Sequence, residues 1–443
     1  MKVIFAVPYS LSGFTVFFPI FERSSMLRRV FLAAVLVLLT AGYGWCANIL
    51  FYGETDKNPL EYQPGEQMVF SIQLLEDGKP LTGKTLKWER RGDDGEKTRG
   101  EAVSADQPLV IKTSISQPGF VHIIVDAFDA DGKRTMNGEK PVVTFDGGAG
   151  VFLDKLQGYP EPEDFDAYWA KQKARLAEVP MKAQMVPVEI SNKNVLSFDV
   201  KIDCIGMPVS GYFCKPKDAK EKSLPARVSF HGYGVSGSNT PIWASNCLAL
   251  DINAHGIENG KPQEFYDNLR KTTLNGYGLR KADNQTPEQA YFNGMFLRMI
   301  RALEWIKSQP EWDGKTLIVS GGSQGGLQCL SAAGLDPQVT ECNAFVPWCC
   351  NIAVAQQGRQ PSVFWPDYTD AMRYFDAANH AKRIKGKVSI VSGLGDYVCP
   401  PSTQAVLYNN IKAPKKHQYL QGKTHGYNMP NGKSYIISEN WAE

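Results

Sequence analysis

Gly321-Gly322-Ser323-Gln324-Gly325-Gly326 is the stretch on which the fold of this chain turns. It follows a short β-branched run, Thr316-Leu317-Ile318-Val319-Ser320, and opens an Ala/Leu-rich helical segment. A serine held in a sharp strand-to-helix turn projects its hydroxyl above a sheet, and small flanking residues let the backbone crowd that turn. The same geometry aims the next backbone N–H at the place where an oxyanion would form. G-x-S-x-G patterns arise by chance in many proteins. Here the strand before and the helix after are both legible, which makes the reading a nucleophile turn in a layered α/β sheet.

Outward from that turn, strands and helices alternate. Pro162-Glu163-Asp164-Phe165 starts a helix that runs through Tyr168, Trp169 and Arg175-Leu176. Antiparallel strand patterns are predicted around 195–204 and 209–214, and further strands at 226–230 and 247–252. Thr286-Pro287 is expected to cap a long helix with proline in its first turn. The apolar face of that helix is Met295, Phe296, Met299, Ile300, Leu303 and Ile306, at helical spacing. Val388-Ser389-Ile390-Val391 and His417-Gln418-Tyr419-Leu420 read as the last two strands. This alternation predicts a mostly parallel sheet with helices on both faces.

Upstream, residues from about Asn48 to Val151 read as all-β. Met68–Leu74, Pro108–Ile111, Phe120–Val125 and Val142–Phe145 are strand patterns, punctuated by turns such as Asp77-Gly78-Lys79-Pro80 and Asp131-Gly132. Short strands at this spacing predict an immunoglobulin-like sandwich. It carries no nucleophile, metal cluster or phosphate loop, so packing or spacing is its expected role. Carbohydrate binding has only Trp88 and scattered tyrosines in its favour. Asp146-Gly147-Gly148-Ala149-Gly150 reads as a linker. The expected organisation is a targeting segment over 1–47, a sandwich domain over 48–150 and an α/β domain over 151–443.

The 443 residues suffice for two or three domains, and 43% apolar with 21% charged residues is the balance of a soluble globular chain. A net charge of +2 gives no general attraction to nucleic acid or acidic lipid. Met26-Leu27-Arg28-Arg29 followed by Val30–Leu39 reads as a secretory signal, with Met26 the expected start and cleavage between Gly44 and Ala47. The mature chain is therefore expected in the periplasm or outside the cell, with no membrane span. Cys46 offers a lipoprotein alternative, set against Trp45 where a small residue is usual. Nine cysteines without a C-x-x-C pair and six scattered histidines argue against structural zinc. Cys204, Cys214, Cys247, Cys329, Cys342, Cys349, Cys350 and Cys399 are expected mostly as buried free thiols.

A serine hydroxyl needs a base within hydrogen-bond reach and a group to orient that base. In such sheets the partners follow in the order serine, acid, histidine, each on a loop at the carboxyl end of a strand. Asp396 in Gly393-Leu394-Gly395-Asp396 directly follows one predicted strand, and His425 in Thr424-His425-Gly426 directly follows the next. His231-Gly232-Tyr233-Gly234 follows the strand ending at Phe230, and Tyr233 N–H and Gln324 N–H are the expected oxyanion donors. His231 is expected to shape that loop. His255 is ambiguous between loop scaffolding and a pocket contact. His380 is expected on a solvent face, His417 on a strand and His122 within the sandwich.

These residues resemble the acetyl xylan esterase and cephalosporin C deacetylase family of α/β-hydrolases, from about Tyr159 to the C-terminus. The matching pieces are Pro162-Glu163-Asp164-Phe165 with Tyr168-Trp169, His231-Gly232-Tyr233, Gly322-Ser323-Gln324-Gly325-Gly326 and Val346-Pro347-Trp348-Cys349. The most specific is Gly393-Leu394-Gly395-Asp396-Tyr397-Val398-Cys399-Pro400-Pro401-Ser402-Thr403. The resemblance implies an α/β-hydrolase fold, Ser323 as nucleophile, Asp396 as acid, His425 as base and Tyr233 and Gln324 backbone as oxyanion hole. It implies deacetylation of an acetylated saccharide without metal or organic cofactor, and leaves a homo-oligomer open. Trp348, Trp365, Tyr397, Trp243 and His255 are then candidates to line a sugar pocket, with core packing the competing expectation for the aromatic ones. Two departures stand out: Asn253-Ala254-His255 replaces the family's usual Arg-Gly-Gln, and Gly426 replaces its usual glutamate after the histidine. Two alternatives stay open, a prolyl-oligopeptidase-type serine peptidase and a non-catalytic glycan-binding protein.

Overall fold

The computed structural model describes residues 48–442. Met26–Leu39 and Cys46, on which the export reading rests, lie outside the described residues. In chain order the first strands are β1 (Ile49–Thr55), β2 (Met68–Glu76), β3 (Lys79–Pro80), β4 (Thr85–Gly92), β5 (Lys97–Val103), β6 (Leu109–Thr113) and β7 (Gly119–Phe128). The short pair β8 (Met136–Asn137) and β9 (Lys140–Pro141) follows, then β10 (Phe145–Val151). β1, β2, β3 and β6 make one sheet; β10, β7, β4 and β5 make the other, in that order. Met68, Phe70, Ile72 and Leu74 of β2 and Val121, Ile123, Val125 and Ala127 of β7 share one core. Every second residue of each strand faces inward, as a two-residue side-chain period requires.

The glycine-rich run expected as a linker is instead the body of β10, paired with β7 from Phe145↔Val125 to Val151↔Gly119. The composition that suggested flexibility answers a steric demand. A Cβ on Gly148 would lie 2.6 Å from Val121 O and 2.9 Å from Leu394 O, so the strand is squeezed between two backbones. The boundary expected at 150/151 thus falls inside a strand.

The remaining strands are β11 (Ala183–Pro187), β12 (Val195–Ile202), β13 (Val209–Pro216), β14 (Leu224–Phe230), β15 (Leu248–Ile252), β16 (Trp312–Gly322), β17 (Glu341–Phe345), β18 (Lys387–Gly393), β19 (Lys415–Leu420) and β20 (Ser434–Glu439). The helices are α1 (Phe165–Ala177), α2 (Gln263–Lys271), α3 (Tyr291–Lys307), α4 (Gln324–Leu335), α5 (Ala377–Ala381) and α6 (Pro401–Asn410). The strands form one ten-stranded sheet, ordered β11-β12-β13-β15-β14-β16-β17-β18-β19-β20. From β15 to β19 every neighbouring pair is parallel, and the strands outside that run pair antiparallel. This is the α/β-hydrolase fold, and it places the loops after β14, β16, β18 and β19 at one end of the sheet.

Helix α3 begins at Tyr291 rather than at Thr286-Pro287. Ala290 is extended (φ −57°, ψ 138°), which separates the helix from a turn closed by Ala290 N–H on Thr286 O at 3.0 Å. β17 and β20 went unpredicted. Glu341-Cys342-Asn343-Ala344-Phe345 has no β-branched residue, and β20 lies beyond the strand read as last.

Residues 48–443 cluster as one compact unit. Leu60 and Phe120 of the sandwich pack with Leu394, Ala405, Val406 and Tyr419 of the α/β region. The Gln421 side chain adds two hydrogen bonds of 2.9 Å, accepting from Gly148 N–H and donating to Gly148 O. Among the described residues no helix is long and apolar enough to cross a membrane.

Candidate active site

Ser323 stands alone between the end of β16 and the start of α4, with φ 57° and ψ −120°. A non-glycine residue at positive φ is costly unless its surroundings enforce it. Here Ser323 N–H donates to Phe345 O at 2.9 Å and Ser323 O accepts from Trp348 N–H at 3.0 Å. The turn also needs its glycines: a Cβ on Gly325 would sit 2.2 Å from Phe230 O. The strained turn lifts the hydroxyl off the sheet and into the space where the next two loops meet.

Those loops supply the predicted partners. His425 Nε2 lies 3.0 Å from Ser323 Oγ, and His425 Nδ1 lies 3.0 Å from Asp396 Oδ2. The second carboxylate oxygen of Asp396 accepts from Val398 N–H at 3.0 Å and Cys399 N–H at 2.9 Å. Asp396 is therefore buried but satisfied, and among the described residues its only side-chain partner is the imidazole. Asp396 and Ser323, 29 and 102 positions from His425 along the chain, converge with it at one end of the sheet. In this arrangement the imidazole can accept the serine proton while the carboxylate holds its tautomer.

The 231–234 loop lies against the serine: a Cβ on Gly232 would be 3.9 Å from Ser323 Cβ. Neither Tyr233 N–H nor Gln324 N–H has an acceptor among the described residues. His231 pairs with Asp251, which also accepts Asn239 N–H, so it shapes the loop as expected. His255 resolves to scaffolding rather than a pocket contact. It is 3% exposed, with Nε2 2.8 Å from Gly234 O and Nδ1 2.7 Å from Tyr291 OH. Burial pushes its pKa down to about 4, so the neutral ring donates to Gly234 O and accepts from Tyr291. Tyr277, unnoticed in the sequence, completes this support. Its hydroxyl accepts from Gly234 N–H at 2.8 Å and donates to Gln324 Oε1 at 3.2 Å, and its ring stacks on Tyr233 at 4.2 Å. Gly276-Tyr277-Gly278 carries no motif that could have revealed it.

The aromatic candidates divide. Trp348 is fully buried, with its indole N–H donating to Phe364 O at 2.7 Å, and presents no face to a ligand. Tyr397 is nearly buried and stacked on His122 of β7 at 3.7 Å. Trp365 is half-buried, and Trp243 is 53% exposed on the 241–245 turn. The exposed aromatic beside the 231–234 loop is Phe364, edge-on to Tyr233 at 5.2 Å, which the sequence did not single out. His380 is another correction. It is fully buried among Phe165, Trp169 and Phe296 rather than solvent-facing, and burial pushes its pKa down to about 3. His417 is buried on β19 beside Ser392 Oγ at 2.8 Å.

Asp396, Cys399 and His425 are the one group of potential metal-ligand atoms found among the described residues, all within 4.8 Å. Burial raises the Cys399 thiol well above its usual range, which keeps it protonated, whereas the thiolate is the metal ligand. The arrangement suits proton transfer better than metal binding. The eight described cysteines are all free, and seven are buried.

A family described as acetyl xylan esterase matches residues 150–361 and 367–438. The acetyl esterase Axe7A of Xylanibacter ruminicola is 33% identical over 434 residues, covering 89% of this chain and 92% of its own length. Among solved structures, the acetyl xylan esterase from Paenibacillus sp. R4 is 27% identical with a TM-score of 0.52, covering 62% of this chain and 93% of its own. Acetyl xylan esterase 1 from Thermoanaerobacterium sp. JW/SL YS485 is 25% identical with a TM-score of 0.53, covering 62% of this chain and 92% of its own.

Proposed function

The chain belongs to the acetyl xylan esterase family, and from that premise we propose that Ser323, His425 and Asp396 remove acetyl groups from acetylated saccharides through an acetyl-enzyme intermediate. The enzyme is a serine hydrolase acting on acetyl esters. Ser323 Oγ attacks the acetyl carbonyl as His425 Nε2 takes its proton, and Asp396 steadies the imidazolium that forms. The tetrahedral oxyanion is held by Tyr233 N–H and Gln324 N–H. His425 then protonates the departing sugar oxygen, and the same imidazole later activates the water that releases acetate.

The observation that carries this reading is the relay of two 3.0 Å contacts from Asp396 through His425 to Ser323, beside two N–H groups, of Tyr233 and Gln324, that have no acceptor among the described residues. The peptidase and the non-catalytic alternatives have no comparable support. Acetate release by the wild type and by Ser323→Ala, measured on acetylated xylo-oligosaccharides and a chromogenic acetyl ester, tests it. Loss of all but a trace of turnover on both is expected; retained turnover in Ser323→Ala would contradict it. Export to the periplasm or medium is part of the proposal and rests on Met26–Leu39. N-terminal sequencing of the exported protein should find a start between residues 45 and 48, and a start upstream of Met26 would contradict it.

A further inference from the structure

Resting on that reading, we propose that the outer face of the β10-β7-β4-β5 sheet forms one wall of the substrate cleft and favours acetylated saccharides that also carry a uronate carboxylate. On β7, Val121, Ile123 and Val125 point into the sandwich core, so His122, Ile124 and Asp126 face outward, and the register sets Arg91 opposite His122. That face does not end in solvent. His122 stacks on Tyr397, the neighbour of Asp396, and a Cβ on Gly395 would lie 2.3 Å from Asp146 O. The sandwich is built directly onto the loop of the triad acid.

A cleft of about 810 Å³ results, lined by Asp396, Thr424, His425 and Gly426 together with Arg91, Ile124, Arg134 and Lys140; it adjoins the triad at His425 and Asp396 and does not include Ser323 in its lining. Ile124 and the exposed Val143 and Val363 supply an apolar surface for the C–H face of a pyranose ring. The cations supply the charge preference. Arg91 and Arg134 keep 37% and 40% of their side chains exposed. Asp126 is taken by Arg134 and Thr144, and Asp146 by His122. Among the described residues Arg91 shares its one carboxylate, Glu89, with Lys97 at 2.9 Å and Arg99 at 3.0 Å. Lys97 and Arg99 sit on the same carboxylate outside the cleft lining, so Glu89 neutralises Arg91 only in part, and a guanidinium matches a carboxylate in two parallel hydrogen bonds.

The test uses the full chain and three acetyl esters: an acetylated xylo-oligosaccharide, the same oligosaccharide bearing one glucuronic acid, and 4-nitrophenyl acetate. At low salt the wild type should prefer the uronate-bearing substrate in kcat/KM by about tenfold, as a charge-assisted contact to a carboxylate would give, and salt should erode that preference. The double variant Arg91→Gln, Lys140→Gln should lose the preference through KM, with both other substrates within about twofold of wild type. Should Arg91→Gln lower the melting temperature, Lys140→Gln alone, an exposed side chain, should still cut the preference by about threefold. No uronate preference in the wild type, or a preference surviving in the variants, would overturn the proposal. Hydrolysis of 4-nitrophenyl acetate without acetate release from either oligosaccharide would instead overturn the saccharide reading beneath it, and the proposal with it.

Discussion

Asp396 divides its carboxylate between two tasks, with one oxygen on His425 and the other on two backbone N–H groups that fix its rotamer. The 231–234 loop is held by a comparable division at Tyr277, whose single hydroxyl joins Gly234 to Gln324. Tyr277→Phe keeps the ring stack on Tyr233 and removes only the hydroxyl's hydrogen bonds to Gly234 and Gln324. It should lower kcat by about tenfold, the worth of one or two hydrogen bonds, with KM little changed. A raised KM at unchanged kcat would mean that the hydroxyl meets substrate rather than the loop. At this scale the convergence of Ser323, Asp396 and His425 was legible because each directly follows a strand, in an order that a shared sheet edge explains. Tyr277, Phe364 and the burial of Trp348 were not legible, because they depend on which distant backbone segment packs beside them.

Among elements, β10 repays comparison with the turn at Ser323. Both are glycine-rich, and in both the glycines serve close approach, yet only one was readable. The serine turn announces itself by the strand before it and the helix after it. β10 has neither, and Asp-Gly-Gly-Ala-Gly has low strand propensity, so its pairing with β7 is imposed by tertiary contacts at Val121 and Leu394. Gly148→Ala should therefore destabilise the protein by about 1–3 kcal/mol, the typical range for overpacking, seen as a lower melting temperature. A melting temperature equal to wild type would show that the strand has room to move. The late start of α3 is local: Pro287 suits a helical first turn, but Ala290 is extended and interrupts the run before Tyr291.

For the whole molecule, the shared packing of Leu60 and Phe120 with Leu394 and Tyr419 joins sandwich and α/β region, so thermal unfolding should be a single transition. Its pH dependence follows from buried histidines. The pKa values of His255, His380 and His417 are pushed down by burial to about 4, 3 and 3, below the value of about 6.5 expected in an unfolded chain. Below pH 6.5 the unfolded state therefore takes up more protons than the folded state. The stability from these neutral rings is whole above that pH and falls away as pH drops toward 4 and 3. Asp376, raised to about 6 by burial, acts in the opposite sense, since its contribution is lost as pH rises from about 4 to 6. His122, likewise lowered by burial, acts with those histidines, and Asp93, likewise raised, acts with Asp376. Four groups outweigh two, and the melting temperature should fall steadily from pH 7 to pH 4.5; a constant or rising value would contradict this.

The claim on which the rest depends is that an acetyl group passes through Ser323. Rapid acid quenching of the full chain during turnover of an acetylated xylo-oligosaccharide, followed by mass spectrometry of its peptides, examines this directly. One acetyl group on the peptide carrying Ser323, absent when His425 is replaced by glutamine, is the predicted result. Steady acetate release with that peptide never acetylated, or with the acetyl group on another residue, would contradict it.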